Sequence, residues 1–284
     1  MKLHLHHVPS RQGVAWLRQG WLAFRHAPLA LTALLASYMV GSLLLGVLGW
    51  PGALLAFATA PLLTLVFMLA SHQLVQKRTV SLALWLHPFR LNAQRSRVQL
   101  QLALLFALLM GLALMVIEPF DAEVRERLAL AMQAWQEASS EAAREAAQLR
   151  VAEVFADPTL MQGWLLRLGT LALLAVPFWH APALAHWGGQ GAAQALFASC
   201  LGLWHNRGAY LMNGLAWIGV LFAASTVLGL LALLAPPLMM LLLTPFSLLL
   251  GAVFYAGLYF GFSDTFRFAL AKPAPAEAPA EPTE

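Results

Sequence analysis

Histidines are the residues of this chain whose type and spacing most suggest chemistry. Three of the nine, His4, His6 and His7, lie together at the N-terminus. Imidazole nitrogens bind zinc and related metals when several ligands hold a fixed geometry. These three precede every apolar run, at a chain end that is typically mobile. We therefore expect a mobile N-terminus and no metal site.

Other histidines would form a shared site only if the fold brought distant positions together. His180 and His186 are six residues apart and His205 follows them, whereas His26 and His87 come earlier in the chain. The alternative is that each lies at a membrane interface, with the ring in apolar surroundings and the polar tip in water. We favour this alternative for all five.

Paired carboxylates offer the other chemical possibility. Glu123 and Glu126 have a spacing that suits a general acid and base, but catalysis of that kind needs apolar surroundings that raise one pKa. Both residues lie in a strongly charged stretch, which is typical of a solvated helix face. The sequence also has no His-Glu-x-x-His, glycine-rich phosphate loop or nucleophile elbow. We predict a protein that is not an enzyme, with no catalytic, cofactor-binding or metal-binding residue.

The composition indicates an all-α integral membrane protein. Hydrophobic residues make up 60% of the chain and charged residues 11%, with a mean hydropathy of +0.70, whereas soluble domains have about 25% charged residues. A bilayer core requires roughly 20 apolar helical residues. Six runs meet this requirement, at about 28–48, 52–71, 99–117, 161–184, 209–234 and 238–260. The net charge of +4 comes from basic residues beside these runs, so no nucleic-acid partner is expected.

The distribution of charge predicts how the protein crosses the membrane. Nine of the thirteen carboxylates lie between Glu118 and Asp157, while the segment from His72 to Val98 has five Lys or Arg residues and no acid. By the positive-inside rule, the basic segment faces the cytoplasm. The prediction is a multi-pass membrane protein with both termini cytoplasmic and an extracytoplasmic loop at 118–159.

An amphipathic stretch precedes the first pair of spans. Arg11, Arg18 and Arg25 recur every seven residues, and apolar residues gather on a different arc of the same helical wheel. This pattern is typical of a helix that lies in the interface plane. The three arginines are candidate contacts for anionic lipid headgroups; alternatively, the helix only anchors the first span.

A weaker amphipathic stretch at 188–206 precedes the last pair of spans, which suggests a parallel internal repeat. In each pair the returning span carries an interior proline after a threonine, Pro61 and Pro245. Intramembrane prolines kink helices and free backbone carbonyls. These two are candidates for kinks or for residues that line a path.

The segment 118–157 is rich in Ala, Glu, Gln and Arg, which are strong helix formers. We predict a helical segment that Ser139 and Ser140 divide into two helices. It is the candidate docking region for an extracytoplasmic protein partner; alternatively, it is only a solvated connection. The remaining organisation is a single membrane domain at 1–271 and a disordered, Pro/Ala/Glu-rich tail at 272–284.

Two stretches carry a resemblance to known sequences. They are Val8–Gly13 with Trp16–Trp21 and Phe24, and Phe178–Leu184 with the residues that follow as far as Asn206. These stretches resemble landmarks of an uncharacterised family of proteobacterial multi-spanning membrane proteins, over about residues 8 to 267. The resemblance implies an inner-membrane location and no established activity. The layout is also similar to membrane domains found beside glycerophosphodiester phosphodiesterases, but the sequence has no such catalytic domain.

Two hypotheses for function follow. The first is a non-enzymatic envelope or membrane-assembly scaffold that presents 118–157 to a partner. The second is a lipid or small-molecule transporter that uses the proline-containing hairpins. Five of the six runs have no charged residue, which disfavours transport driven by a buried carboxylate. The exception is Arg167, which we expect to reach the interface or to pair with Asp157 or Glu118. The sequence does not indicate an oligomeric state.

Overall fold

The computed structural model describes residues 2–90 and 92–269, and this part of the chain contains eleven α-helices. In chain order they are α1 (Gln12–His26), α2 (Pro28–Gly46), α3 (Trp50–Val75), α4 (Ala93–Ile117), α5 (Ala122–Glu137), α6 (Glu141–Phe155), α7 (Pro158–Phe178), α8 (Ala181–Gly188), α9 (Ala192–His205), α10 (Arg207–Leu234) and α11 (Pro236–Thr265). Short 3-10 helices lie at Leu82–Phe89 and Glu118–Phe120. Two strands, β1 (Lys2–Leu5) and β2 (Phe266–Ala269), complete the described fold.

Six of the helical segments, those containing α2, α3, α4, α7, α10 and α11, are long and apolar enough to cross a membrane. The predicted helical membrane fold with about six spans is therefore confirmed. The fourth predicted span, 161–184, is not one continuous helix, because α7 ends at Phe178 and α8 begins at Ala181. Pro177 and Pro182 lie on either side of this break, where proline removes backbone donors from the helix ladder.

The N-terminal residues form a strand, so the expectation of a mobile N-terminus is wrong. β1 pairs antiparallel with β2, with Leu5 opposite Phe266 and Lys2 opposite Ala269. Periodicity could not predict a four-residue strand whose partner lies at the other end of the chain. The pairing places both described ends of the chain at one end of the helix bundle, which we name the terminal end.

The opposite end of the bundle carries the α2–α3 turn, the α10–α11 turn and the α5–α6 hairpin, and we name it the hairpin end. Helix α3 runs parallel to α11, because Phe67 contacts Tyr255 and the Ser71 hydroxyl donates to the Ala256 carbonyl at 3.0 Å. Which end faces the cytoplasm stays a prediction.

The core lies around the second half of α3, which packs against α2, α4 and α11. In this half of α3 the buried side chains form a continuous run, Leu65, Val66, Phe67, Met68, Leu69 and Ala70. A helix that is apolar on every side and lies at the centre of a bundle produces this pattern. The predicted tail at 272–284 lies outside the described residues.

Candidate functional site

Helix α1 lies directly against the backbones of α10 and α11. A Cβ atom on Gly13 would overlap the Ala209 carbonyl oxygen, and one on Gly20 would overlap backbone atoms of Val253 and Gly257. Small residues at a helix contact allow this close approach in membranes. The helix is therefore packed into the protein along one face, in addition to having the predicted polar and apolar arcs.

A polar contact fixes the same face of α1. Trp16 is only 2% exposed, and its indole N–H donates to Asp264 Oδ2 at 2.8 Å. The Gln12 side-chain amide donates to the same oxygen at 3.0 Å. A buried indole N–H needs an acceptor of this kind, so Asp264 orients α1 on the end of α11.

The three arginines, Arg11 just before α1 and Arg18 and Arg25 within it, are all exposed, on the side away from the glycine contacts. Within the described chain, Arg11, Arg18 and Arg25 have no carboxylate within ion-pairing distance. Exposed Val14 and Trp21 lie beside them on the helix surface. This arrangement of cations next to exposed apolar side chains suits a membrane interface, and the contact with lipid headgroups stays a prediction.

The two prolines have different surroundings. Both lie inside helices, Pro61 in α3 and Pro245 in α11. Because Ser71 meets Ala256 and the helices are parallel, the prolines lie at about the same depth. Pro61 is buried whereas Pro245 is exposed. Their roles as kink or path residues stay a prediction.

The proposed repeat has the same order of elements in both halves but not the same packing. A short helix, a span, a tight turn and a returning span occur as α1–α3 and again as α9–α11. α1 packs mainly on α10 and α11, whereas α9 packs mainly on α7 and α8. The repeat therefore stays a prediction from the sequence.

His180 and His186 are buried, so the expectation that their polar tips lie in water is wrong. His180 Nε2 lies 2.8 Å from the Tyr210 hydroxyl, which lies 2.9 Å from Thr265 Oγ1. The break between α7 and α8 turns His180 into the bundle, where its backbone N–H donates to Ser199 Oγ at 3.1 Å. A histidine beside a helix break thus becomes part of a buried hydrogen-bond chain.

Among the described residues, four histidines lie in two pairs, and the five candidates for a shared site do not all meet at one place. The His186 ring lies 5.4 Å from that of His87, and the His205 ring lies 5.7 Å from that of His7, measured between ring centroids. His26 instead contacts the Leu22 carbonyl in its own helix. Buried Nδ1 atoms of His186 and His87 have no hydrogen-bond partner within the described protein. These positions suit bound water, which commonly satisfies such groups.

Asn206 closes the terminal end, a role that the sequence did not suggest. Its side-chain oxygen accepts from the Val8 N–H at 2.9 Å, and its amide donates to the His6 carbonyl at 2.9 Å. The His6 N–H in turn donates to the Thr265 carbonyl at 3.0 Å. The segment after β1 is therefore attached to the start of α10 and the end of α11.

At the hairpin end, a cluster of charged residues joins the foot of α5 to α7. Arg167 Nη2 donates to Asp121 Oδ1 at 2.8 Å, and Arg125 Nε donates to the same oxygen at 2.9 Å. Arg167 thus pairs most closely with Asp121, which was not among its expected partners, and it also forms the expected ion pair with Glu118, with 3.7 Å between Nη2 and Oε2. Asp157, the other expected partner, pairs with Arg127.

The charges in this cluster shift one another's pKa. Hydrogen bonds from Arg167 and then Arg125 lower the pKa of Asp121, and this effect outweighs the opposing effect of burial. Hydrogen bonds to Glu118 and Asp121 raise the pKa of Arg125. The backbone N–H of Thr159 lowers the pKa of Asp157, with a further contribution from Arg127. Asp121 is 2% exposed, so its charge is stabilised by these partners and not by water.

Helices α5 and α6 pack against each other as a hairpin, and Ser140 caps α6 by accepting from the Ala143 N–H at 3.2 Å. Apolar side chains remain on the exposed surface of the hairpin, among them Leu130 at 60% and Leu149 at 67% exposed. A groove of about 310 Å³ lies between the two helices, lined by Arg127, Leu130, Ala131, Arg150, Glu153 and Val154.

The chain is similar to a Burkholderia thailandensis protein named as a probable inner membrane protein. The two are 26% identical over 265 residues, which cover 90% of this chain and 92% of the relative. No family model matches the chain. No solved structure matches it either.

Proposed function

We propose that this protein is a non-enzymatic scaffold of the bacterial inner membrane whose α5–α6 hairpin binds a protein partner outside the cytoplasm. The observation that carries the proposal is the set of large apolar side chains on the exposed surface of a polar hairpin, Leu130 and Leu149 above all. Exposed apolar patches rimmed by polar residues mark interaction sites more often than plain solvated surface.

The attachment of the hairpin to the bundle supports this proposal. A solvated connection needs only to span the distance between α4 and α7. Here the Asp121 cluster holds the first turn of α5 against Arg167 of α7, and Arg127 reaches Asp157 at the start of α7. A surface that is held in place loses less conformational entropy on binding than a mobile one.

The groove between α5 and α6 indicates the chemistry of the partner. Leu130, Ala131 and Val154 give it an apolar floor. Arg150 also lines the groove, and it has no carboxylate within ion-pairing distance in residues 2–90 and 92–269. We propose a partner segment that inserts an apolar side chain next to an acidic one, as complementary charge favours that pairing.

Two observations support the proposed location in the inner membrane. Lys and Arg are concentrated between residues 72 and 98, which by the positive-inside rule favours a cytoplasmic position for that segment. The similar Burkholderia thailandensis protein bears the name of a probable inner membrane protein. We also propose that the stretches at 8–24 and 178–206 mark the chain as a member of the uncharacterised proteobacterial family that they resemble.

Crosslinking from the hairpin surface tests the proposed function. A photoreactive residue at position 130 in living cells is expected to capture a defined partner, and Leu149→Glu is expected to reduce that product at least tenfold. Gln148→Glu, which adds a charge at the neighbouring exposed position, is the matched control and should leave it unchanged. Capture that is insensitive to Leu149→Glu would contradict the proposal, and so would co-purification of an unchanged set of partners after deletion of residues 122–156.

A separate experiment tests the orientation. A reporter fused after Gln136 is expected to behave as extracytoplasmic, and one fused after Arg78 as cytoplasmic. The reverse pattern would place the α5–α6 hairpin in the cytoplasm and would remove the proposed location of the partner.

A further inference from the structure

We infer that the groove between α9 and α10 binds an anionic phospholipid, with an acyl chain in the groove and the phosphate on Arg207. The groove has a volume of about 890 Å³, within the usual range of ligand pockets. Apart from Arg207, its lining is almost entirely apolar or aromatic and includes Val176, Phe197, Leu201, Leu203, Trp204 and Leu211. It lies at the terminal end, away from the α5–α6 hairpin, and the inference does not depend on the proposed function.

Arg207 supplies the charge at the mouth of this groove. It is the first residue of α10, and its guanidinium carbon lies 5.2 Å from the centroid of the Trp204 ring. Among the residues that the structure describes, no carboxylate lies within ion-pairing distance of it. A guanidinium stacked on an indole keeps its N–H donors available in one plane, which suits two hydrogen bonds to a phosphate.

The N-terminus of α10 adds to the attraction for an anion. The first N–H groups of a helix carry partial positive charge and often bind phosphate. Asn206 is the N-cap residue, but its side chain bonds to the Val8 N–H and the His6 carbonyl instead of capping the helix. The positive end of a 28-residue helix therefore lies beside Arg207 without a capping side chain.

Tyr210 contributes an apolar surface to the groove. Its ring lines the groove, but its hydroxyl is turned into the bundle, where it meets His180, Thr265 and the Gly261 carbonyl. The groove is therefore charged only at its mouth and apolar within. A phospholipid has the same division, with a phosphate at the interface and an apolar chain below it.

The outer face of α9 places this groove at the membrane interface. Phe197 and Trp204 are 70% and 69% exposed, while Ala195, Ser199 and Gly202 form the buried face against the protein. Bulky apolar residues on the outward face, beside the first residue of a membrane-crossing helix, suit contact with lipid. A soluble peptide would have to displace lipid from that position, which is why we assign the groove to a phospholipid.

Shielding of Cys200 provides the test, because this cysteine is the only one in the sequence and lines the groove. The rate of its alkylation by a maleimide is measured on the purified full-length protein in detergent, with phosphatidylglycerol or phosphatidylcholine added. We expect phosphatidylglycerol to slow the reaction at least fivefold more than phosphatidylcholine. Inorganic phosphate should have no effect, since it lacks the acyl chain that occupies the groove.

Three variants distinguish lipid binding in the groove from general lipid adsorption. Arg207→Gln should abolish the difference between the two lipids, whereas Arg207→Lys should retain part of it. Arg90→Gln, which removes an exposed charge outside the groove, should leave the difference intact. Equal shielding by both lipids, shielding by inorganic phosphate alone, or an undiminished difference in Arg207→Gln would each overturn the inference. Mass spectrometry of lipid retained by each variant gives an independent readout that alkylation chemistry does not affect.

Discussion

The terminal end and the hairpin end of the bundle are held together by different chemistry. At the terminal end, neutral hydrogen bonds through Asn206 and Tyr210, the Asp264 carboxylate that accepts from Trp16 and Gln12, and the close contact at Gly13 join distant parts of the chain. At the hairpin end, Asp121 and Arg167 join α5 to α7 through charge. Stability should therefore depend mainly on close packing at the terminal end and mainly on ion pairing at the hairpin end.

The difference follows from what each end must hold. The terminal end packs α1 against α10 and α11, where small residues allow close contact and the Asp264 carboxylate stays partly exposed. The hairpin end attaches a water-exposed α5–α6 hairpin that has few buried apolar residues of its own. Ion pairs that converge on one buried carboxylate, Asp121, fix one geometry, which scattered surface pairs would not.

The largest expected effect comes from breaking the ion cluster. Asp121→Ala removes the buried carboxylate that both Arg167 and Arg125 contact and leaves them only the exposed Glu118, and loss of such charge-assisted hydrogen bonds costs about 2–3 kcal/mol. We expect the free energy of unfolding of the purified protein to fall by that amount. Glu123→Ala, at an exposed position in the same helix, is the control. Equal stability of the two variants would contradict the comparison of the ends.

Acid should loosen the hairpin end before the terminal end. The pKa of Asp121 is lowered by Arg167 and Arg125, so its contribution to stability is complete above the ordinary value of 3.8 and is lost as the pH falls through the lower folded value. Hydrogen exchange, corrected for intrinsic rates, should show α5 opening in this range while α1 stays protected. Opening of both helices at the same pH would count against the prediction.

Overfilling the glycine contact tests the terminal end. Gly13→Leu must displace α1 from the Ala209 carbonyl, and overpacking of this kind costs about 1–3 kcal/mol. Gly214→Leu is the matched control, because a side chain at Gly214 would meet open space. The melting temperature should fall for Gly13→Leu and stay unchanged for Gly214→Leu. A similar fall in both variants would mean that glycine content, not the contact, matters.

The smallest expected effect concerns a single hydroxyl. Tyr210→Phe removes the group between His180 and Thr265, and hydrogen bonds within membrane helices average about 0.6 kcal/mol. Tyr255→Phe is the control, since the Tyr255 hydroxyl has no hydrogen-bond partner in the described part of the chain. A loss above about 2 kcal/mol would mean that the neutral network is as important as the ion cluster.

The apolar lengths of the spans were predictable from the sequence, because bilayer thickness fixes them locally. The arginine stripe of α1 was also visible as a seven-residue period. Gly13 and Asn206 lie in the stretches that carry the family resemblance, but their structural roles were not predictable, since these depend on atoms of α10 and of the segment after β1 at distant positions. Glu118 was expected as a partner of Arg167 and is one, but the nearer partner, Asp121, was missed because it lies 46 residues away, just before α5.

The pairing of β1 with β2 has a consequence for the order of events during synthesis. β1 is made first, but its partner is the last part of the described chain to be made. The two-stranded sheet of β1 and β2 can therefore form only after all six membrane helices have been translated. Its formation closes a loop that contains almost all of the described chain, at an entropic cost that grows only slowly with loop length. Pairing of β1 with β2 thus marks the completion of folding at the terminal end.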